Sequence, residues 1–182
     1  MKPSTADLIK GIRHDLIEAR NCFSVYRAYK LKETREKYSD AFRTFKPFLS
    51  CDLRAHFAAM MVTLGRIFDR EPKYIGIAAL LKAAPHLKDL EPEKYKLAMD
   101  LWASEKIMLL RHQVVAHRSP RTEKIFQLVD TCLADFSKLI QLLEQLVEAW
   151  SRAAKCDMRN LGPKMDREVD DLLKALNRVS KD

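Results

Sequence analysis

Composition and charge place the chain among helical proteins. Of its 182 residues only four are glycine and seven are proline, so it lacks the turn-forming residues that a β-sandwich or barrel needs. Its net charge of +8 is compatible with an acidic partner such as nucleic acid, but a basic balance alone does not identify one.

Several classes of protein are excluded by what the sequence lacks. Charged residues interrupt every apolar stretch well before the roughly 20 residues needed to cross a bilayer, and the first residues do not lead into the apolar core of a signal peptide. No glycine-rich phosphate loop occurs. We therefore expect a cytoplasmic protein without a cofactor, whose four cysteines, none of them in a CxxC pair, stay reduced.

The first predicted helices lie close to the N-terminus. Ser4 or Thr5 can cap a helix whose apolar residues recur every three or four positions to about Lys30. After a charged turn, the spacing of aromatic residues predicts a short helix over residues 38–45, which Pro47 should stop.

A central core helix is expected next. Ser50 should cap it, its apolar residues form a wide stripe, and the run 69–72 closes it. Residues 74–84 are short and apolar enough for a buried helix ended by Pro85, although a strand is the alternative for a run of this kind.

Three further helices are predicted in the second half of the chain. Pro92 suits the first turn of one that continues to about His117. A long helix is expected from about Thr122 to Lys155, and residues 165–179 have the pattern of a last amphipathic helix.

These elements predict an all-α fold built as an antiparallel bundle of four to five main helices. The bundle is expected to occupy residues 1–156, since no glycine-rich or serine-rich linker divides them. Residues 157–182 would add a C-terminal helix that docks on the bundle or on a partner.

The stretch from Leu109 to Pro120 departs from this pattern at two positions. Arg111 has apolar residues three and four positions away on both sides, so its guanidinium should leave from the middle of a hydrophobic stripe. His117 lies in the last turn or just beyond it, because Pro120 disfavours helix for the residue before it. Positive charge also gathers around this stretch. Residues 106–124 contain a single acid, Glu123, and the basic residues Lys106, Arg111, Arg118, Arg121 and Lys124.

Arg111 and His117 supply the two groups that metal-free cleavage of RNA requires. A histidine can take the proton from a 2′-hydroxyl, and an arginine can offset the charge that builds up on the attacked phosphate. Six residues of ideal helix leave the two side chains about 120° apart and about 9 Å along the axis. The mismatch is resolved if His117 leaves the helix, or if two copies of the chain bring their motifs together at a twofold axis.

Metal binding and a purely structural role are the alternatives. His112 and His117 would point about 140° apart with no cluster of carboxylates beside them, so no metal site is expected on this helix. In the structural interpretation Arg111 pairs internally with an acid such as Asp69 or Asp52, and His117 caps carbonyls at a helix end.

The motif and its surroundings resemble the HEPN superfamily, whose motif is an arginine, four to six residues, and then a histidine. The run Val115-Ala116-His117-Arg118 and the helical frame carry the resemblance, and His112 stands where the family usually has Asn, His or Asp. Leu64–Asp69, followed by the apolar run from Ile75 to Leu81, is similar to the matching stretch of the abortive-infection, AbiU-type branch. The resemblance covers roughly residues 5–150.

The resemblance implies a helical domain that dimerises with its motif helices facing one another across a basic cleft. By carry-over, Arg111 would stabilise phosphate, His117 would be acid or base, and His112 would orient or assist. Some relatives carry, two residues after the histidine, a tyrosine that a partner antitoxin modifies, whereas this chain has Ser119. That form of regulation is therefore not expected here.

The function expected from these features is metal-independent endoribonuclease activity in an abortive-infection or toxin–antitoxin type defence system. The protein would act on RNA as a homodimer, with an antitoxin protein as a further partner. Lys106, Arg118, Arg121 and Lys124 would bind the RNA. The alternative is a non-catalytic helical RNA-binding or protein-interaction module that retains the HEPN fold.

Overall fold

The computed structural model describes residues 3–112, 132–156 and 165–180. These ranges contain helices and no strands, which confirms the predicted all-α fold. None of the helices in them combines the length and apolarity that crossing a bilayer requires. The helices are α1 (Thr5–Lys30), α2 (Lys32–Lys37), α3 (Ser39–Thr44), α4 (Lys46–Ile67), α5 (Ile77–Ala83), a 3-10 helix (Pro85–Leu90), α6 (Pro92–Trp102), α7 (Glu105–Arg111), α8 (Leu133–Ala153) and α9 (Asp166–Val179).

Helix α1 begins and ends where the sequence predicts. The Ser4 hydroxyl accepts a hydrogen bond from the backbone N–H of Asp7 at 3.2 Å, and the Ser4 backbone N–H donates to the Asp7 carboxylate at 3.1 Å. This reciprocal cap satisfies two donors that the first turn leaves without a helical partner. The hydrogen bonds from Ser4 also lower the pKa of Asp7 below its ordinary value.

Two boundaries in the first third of the chain differ from the prediction. The expected charged turn after α1 is itself helical and forms α2. Pro47 does not stop a helix but is the second residue of α4, a position where the missing N–H of proline is not needed. Helix α4 therefore begins at Lys46, before the expected cap at Ser50, and it ends at Ile67 just before the predicted closing turn.

The helices in the middle of the chain are interrupted more often than the spacing of apolar residues predicts. Residues 77–83 are helical, so the strand alternative is wrong. The single helix predicted from Pro92 to about His117 is wrong as well, because Ala103 and Ser104 separate α6 from α7. Ser104 has extended backbone angles, with φ −59° and ψ 143°, and its carbonyl accepts the first hydrogen bond of α7 from Met108 at 2.9 Å.

The chain divides into two compact units. Unit 1 comprises Met1–Ala19 and Met61–Gly162, and unit 2 comprises Arg20–Met60 and Pro163–Asp182. Helices α1 and α4 each have one end in unit 1 and the other end in unit 2. The predicted boundary between residues 156 and 157 stays a prediction.

Unit 1 is built around α8, which packs against α6 and the 3-10 helix. Trp150 is fully buried, and its indole N–H donates a hydrogen bond to the carbonyl of Leu87 at 2.9 Å. Gly76 lets the chain enter α5 close to the end of α4, because a Cβ there would lie 2.8 Å from the carbonyl oxygen of Arg66. The fully buried side chains of α8 include Phe136, Leu139, Leu143, Leu146 and Val147.

Unit 2 contains the C-terminal helix α9, which packs against α3. The side-chain amide oxygen of Asn177 accepts a hydrogen bond at 3.1 Å from the N–H of Ala41, in the first turn of α3. The apolar core of this unit is formed by Val25, Tyr29, Tyr38, Ala41, Leu49, Val169 and Leu173.

Candidate functional site

Helix α7 carries Arg111 at its C-terminal end, on the edge of its buried face. Ile107 and Leu110 have no exposed surface, whereas Arg111, one position beyond Leu110, is exposed. A step of one residue turns a helix by about 100°, which is enough to move the side chain from the core to the surface. The prediction that this guanidinium leaves from the middle of a buried stripe is therefore wrong.

An aromatic stack lies beneath the Arg111 side chain. The guanidinium carbon is 5.9 Å from the ring centroid of Trp102, at the end of α6. On the buried side, the Trp102 ring stacks on Phe68 with centroids 4.8 Å apart and an angle of 11° between the planes. A cation over an indole face is attracted by the negative charge of that face. The Trp102 ring is therefore a contact partner of this exposed arginine.

The two acids considered as internal partners of Arg111 are engaged elsewhere. The carboxylate of Asp69 accepts a hydrogen bond from the backbone N–H of Glu71 at 2.8 Å. The carboxylate of Asp52 accepts one from the hydroxyl of Tyr29 at 2.8 Å. Within the described part of the chain Arg111 forms no ion pair, so the purely structural interpretation finds no support there.

His112 and Lys106 are both exposed, but they do not form a compact group with Arg111. The backbone N–H of His112 donates to carbonyls of α7. His112 follows Arg111 directly in sequence, so its side chain leaves the helix about 100° further around the axis. Lys106 is in the first turn of α7, about 140° around the helix from Arg111. Among the residues described, no three His, Cys, Asp or Glu side chains converge as metal ligands.

The other predicted site residues lie outside the described residues. They are His117, Arg118, Arg121 and Lys124, which all fall between residues 113 and 131. The separation of Arg111 from His117, and with it the choice between a site within one chain and a site across a dimer, stays a prediction.

Arg66, within the stretch that carries the resemblance to the AbiU-type branch, joins α4 to α1. Its guanidinium lies 2.8 Å from the carboxylate of Asp15 and 2.9 Å from that of Glu18. Asp15 is buried whereas Arg66 is half exposed, so the arginine covers a carboxylate that would otherwise be poorly solvated.

Sequence reasoning did not identify the partners of either arginine. Trp102 was assigned to the same helix as Arg111, nine residues away, and only the break at Ser104 gives it a different role. A serine followed by Glu105 is a usual helix start and was the available signal. Asp15 lies 51 residues before Arg66, and no local pattern connects the two.

Comparison with protein families gives one match over most of the chain. The family model described as AbiU2, HEPN_AbiU2, matches residues 2–156. Neither the curated proteins nor the solved structures give a significant match. The matched range includes the helices that carry Arg66, Trp102 and Arg111, together with the Arg111–His117 motif. The chain belongs to the AbiU2 family of HEPN domains.

Proposed function

We propose that this protein is a metal-independent endoribonuclease of an abortive-infection or toxin–antitoxin type defence system. It acts in the cytoplasm as a homodimer in which Arg111 and His117 of the two chains meet at one cleft. His117 takes the proton of the 2′-hydroxyl, the 2′-oxygen bonds to the adjacent phosphorus as the bond from phosphorus to the 5′-oxygen breaks, and the leaving 5′-oxygen receives a proton. Arg111 offsets the charge on the attacked phosphate, and His112 orients the substrate.

The observation that carries the proposal is the placement of the Arg111 guanidinium. It is exposed, it lies over the Trp102 ring, and it has no carboxylate partner among the described residues. A guanidinium offers donors in a planar fork that matches two phosphate oxygens. An ion pair would have to be broken before phosphate binds, whereas a ring partner leaves those donors available.

The direct test is incubation of the purified protein with RNA in EDTA. We expect wild type to cleave, Arg111→Ala to be slower by about 100- to 1000-fold, and His117→Ala by about 100- to 10,000-fold. Arg178→Ala, which removes an exposed arginine from α9, is the matched control and should cleave as wild type does. RNA left intact by wild type, or cut equally by the Arg111→Ala/His117→Ala double variant, contradicts the proposal.

A non-catalytic RNA-binding or protein-interaction module is the second candidate. The exposed cations of α7, Lys106 and Arg111, favour it as much as they favour the enzyme. It predicts RNA binding that weakens with salt and no cleavage under any condition. The same EDTA assay, read together with a binding measurement, separates the two.

A further inference from the structure

A second cationic surface lies in unit 2, apart from the motif in sequence. It is a cavity of about 540 Å³ between the end of α1, helix α3 and the beginning of α4. Its aromatic floor is made by Tyr29 and Phe42, whose rings meet edge to face with centroids 6.0 Å apart. Tyr29 is buried and Phe42 partly so, which leaves part of the Phe42 ring accessible from the cavity.

Basic side chains surround this floor. The residues that line the cavity include no carboxylate, and four of them are cationic: Lys30, Arg35, Arg43 and Lys46. The guanidinium of Arg35 is 5.9 Å from the centroid of the Phe42 ring, so it is held over the aromatic floor. The surrounding segment, residues 27–54, has eight basic and four acidic residues, a net charge of +4.

The nearby acids do not neutralise the cavity. Asp40 lies 3.1 Å from the guanidinium of Arg43, but that arginine side chain is 79% exposed, and an ion pair so open to water contributes little. Asp52 accepts a hydrogen bond from the Tyr29 hydroxyl and lies 3.4 Å from the imidazole of His56. Burial and the Asp52 carboxylate raise the pKa of Tyr29 above its ordinary value, so the floor is uncharged at neutral pH.

We propose that this cavity binds a single-stranded segment of RNA, with phosphates at Arg35, Arg43 and Lys46 and a base against Phe42. Cations that follow a backbone beside an aromatic ring are the recurring arrangement for single strands. A duplex hides its base faces, so the aromatic floor favours an unpaired strand. The inference rests on the proposed function in taking RNA as the substrate, and it adds a contact surface in the unit that lacks the motif.

The test is RNA binding in the cleavage-deficient Arg111→Ala background, measured by fluorescence anisotropy of a labelled, unstructured 12-nucleotide RNA in EDTA. The pocket variant replaces Arg35, Arg43 and Lys46 by glutamine. The control variant replaces Arg27, Lys32 and Arg178 by glutamine, which removes the same three charges from exposed positions of unit 2 outside the cavity.

We expect the pocket variant to lose about 10- to 100-fold in affinity at 0.1 M salt, and the control variant less than about threefold. The slope of log affinity against log salt should fall by about 2 in the pocket variant, since each lost phosphate contact on a single strand accounts for about 0.7. Phe42→Leu should lose about tenfold with little change in this slope, because stacking is uncharged. Far-ultraviolet circular dichroism confirms that each variant is folded.

Equal losses in the pocket and control variants would overturn the inference, because they would indicate attraction by net charge alone. Unchanged binding in the pocket variant would overturn it too. These outcomes are distinct from failure of the proposed function. A wild type that binds RNA through this cavity but never cleaves it retains the inference and loses the enzyme. A pocket variant, carrying the native Arg111, that binds and cleaves RNA as wild type does would do the reverse.

Discussion

Arg111 shows how a step of one residue around a helix changes what a side chain can do. Because it lies one step outside the buried face of α7, its side chain contributes little to the core. An exposed guanidinium over an aromatic ring contributes about 0.5–1 kcal/mol. The arginine is thus nearly dispensable for folding, which is what a residue reserved for a ligand should be.

We expect Arg111→Ala to lower the free energy of unfolding by no more than about 1 kcal/mol in urea denaturation. Arg66→Ala is the matched comparison, and it should cost about 1–3 kcal/mol because it leaves the buried carboxylate of Asp15 without its charged partner. A loss of stability for Arg111→Ala as large as that for Arg66→Ala would restore the structural interpretation of Arg111.

The sequence identified the residue at this site but not its surroundings. Arg111 stood out because a charge interrupted an apolar pattern, and that signal is local. Its actual neighbour, Trp102, depends on the break at Ser104, where the apolar spacing lapses because Glu105 and Lys106 stand three and four positions after Trp102. A lapse of this kind can mark a turn, but it does not show which side chains the turn brings together.

Helix α9 is an element whose bounds could be predicted from its strong apolar pattern alone. Its apolar residues predicted an amphipathic helix over 165–179, and the helix observed is Asp166–Val179. Leu173 is fully buried in the core of unit 2, while its neighbour Leu172 is 43% exposed. Of these two consecutive leucines, one is therefore in the core and the other is at the surface.

Leu173→Ala should lower the free energy of unfolding by about 2–5 kcal/mol, because it opens a cavity in a packed core. Leu172→Ala should cost less than about 1 kcal/mol. Urea denaturation followed by circular dichroism measures both. Similar costs for the two substitutions would mean that α9 does not pack on unit 2 through Leu173.

Polar contacts also attach α9 to its unit, and they make this attachment sensitive to acid. Asp170 accepts hydrogen bonds from Lys174 at 2.7 Å, from the hydroxyl of Tyr38, and from Lys37 at 3.0 Å. These bonds hold the pKa of Asp170 well below its ordinary value of 3.8. A pKa that is lower in the folded protein than in the unfolded chain stabilises the folded state at pH values above the unfolded-state pKa. This contribution is lost as the pH falls through the folded-state pKa.

We therefore expect Asp170→Asn to lower the melting temperature at pH 7, and the difference from wild type to shrink as the pH falls below about 4. Glu168→Gln removes the same charge from an exposed position of the same helix and should show no such convergence. Thermal melts at pH 7, 5 and 3 test this. A difference for Asp170→Asn that grows toward low pH would contradict the assignment.

Helix boundaries were harder to predict than helices, for a physical reason. The sequence predicts a helix stop at Pro47 because proline breaks helix interiors, yet in the first turn of α4 proline is well tolerated. The choice depends on whether the chain before Pro47 or after it packs into a core. Contacts that are distant in sequence decide that, and no window around the proline contains them.

At the scale of the whole molecule, the question is whether Arg111 and His117 form the catalytic pair across two chains. One ideal helix would separate Arg111 from His117, and the proposal resolves this by pairing the motifs of two chains. Mixed dimers test this directly. Arg111→Ala and His117→Ala chains, co-expressed with different tags and purified through both, should regain at least about tenfold in RNA cleavage over either parent, because one intact pair is restored in trans.

Mixed dimers that stay as inactive as their parents would locate the pair within a single chain. Light scattering of the same samples supplies the control, since a monomeric mass would remove the premise of the experiment. Size and activity together therefore decide between a composite site and an intramolecular one.

Because Trp102 lies beneath Arg111, intrinsic tryptophan fluorescence can report on binding at this site. The chain has two tryptophans, and Trp150 is sealed in the core with its indole N–H bonded to Leu87. Trp102 instead lies directly under the candidate phosphate-binding guanidinium. An anion arriving there changes the electric field across the indole and hence its emission. In a Trp150→Phe protein, all tryptophan fluorescence would come from this ring, and occupancy of the site could be followed without any label.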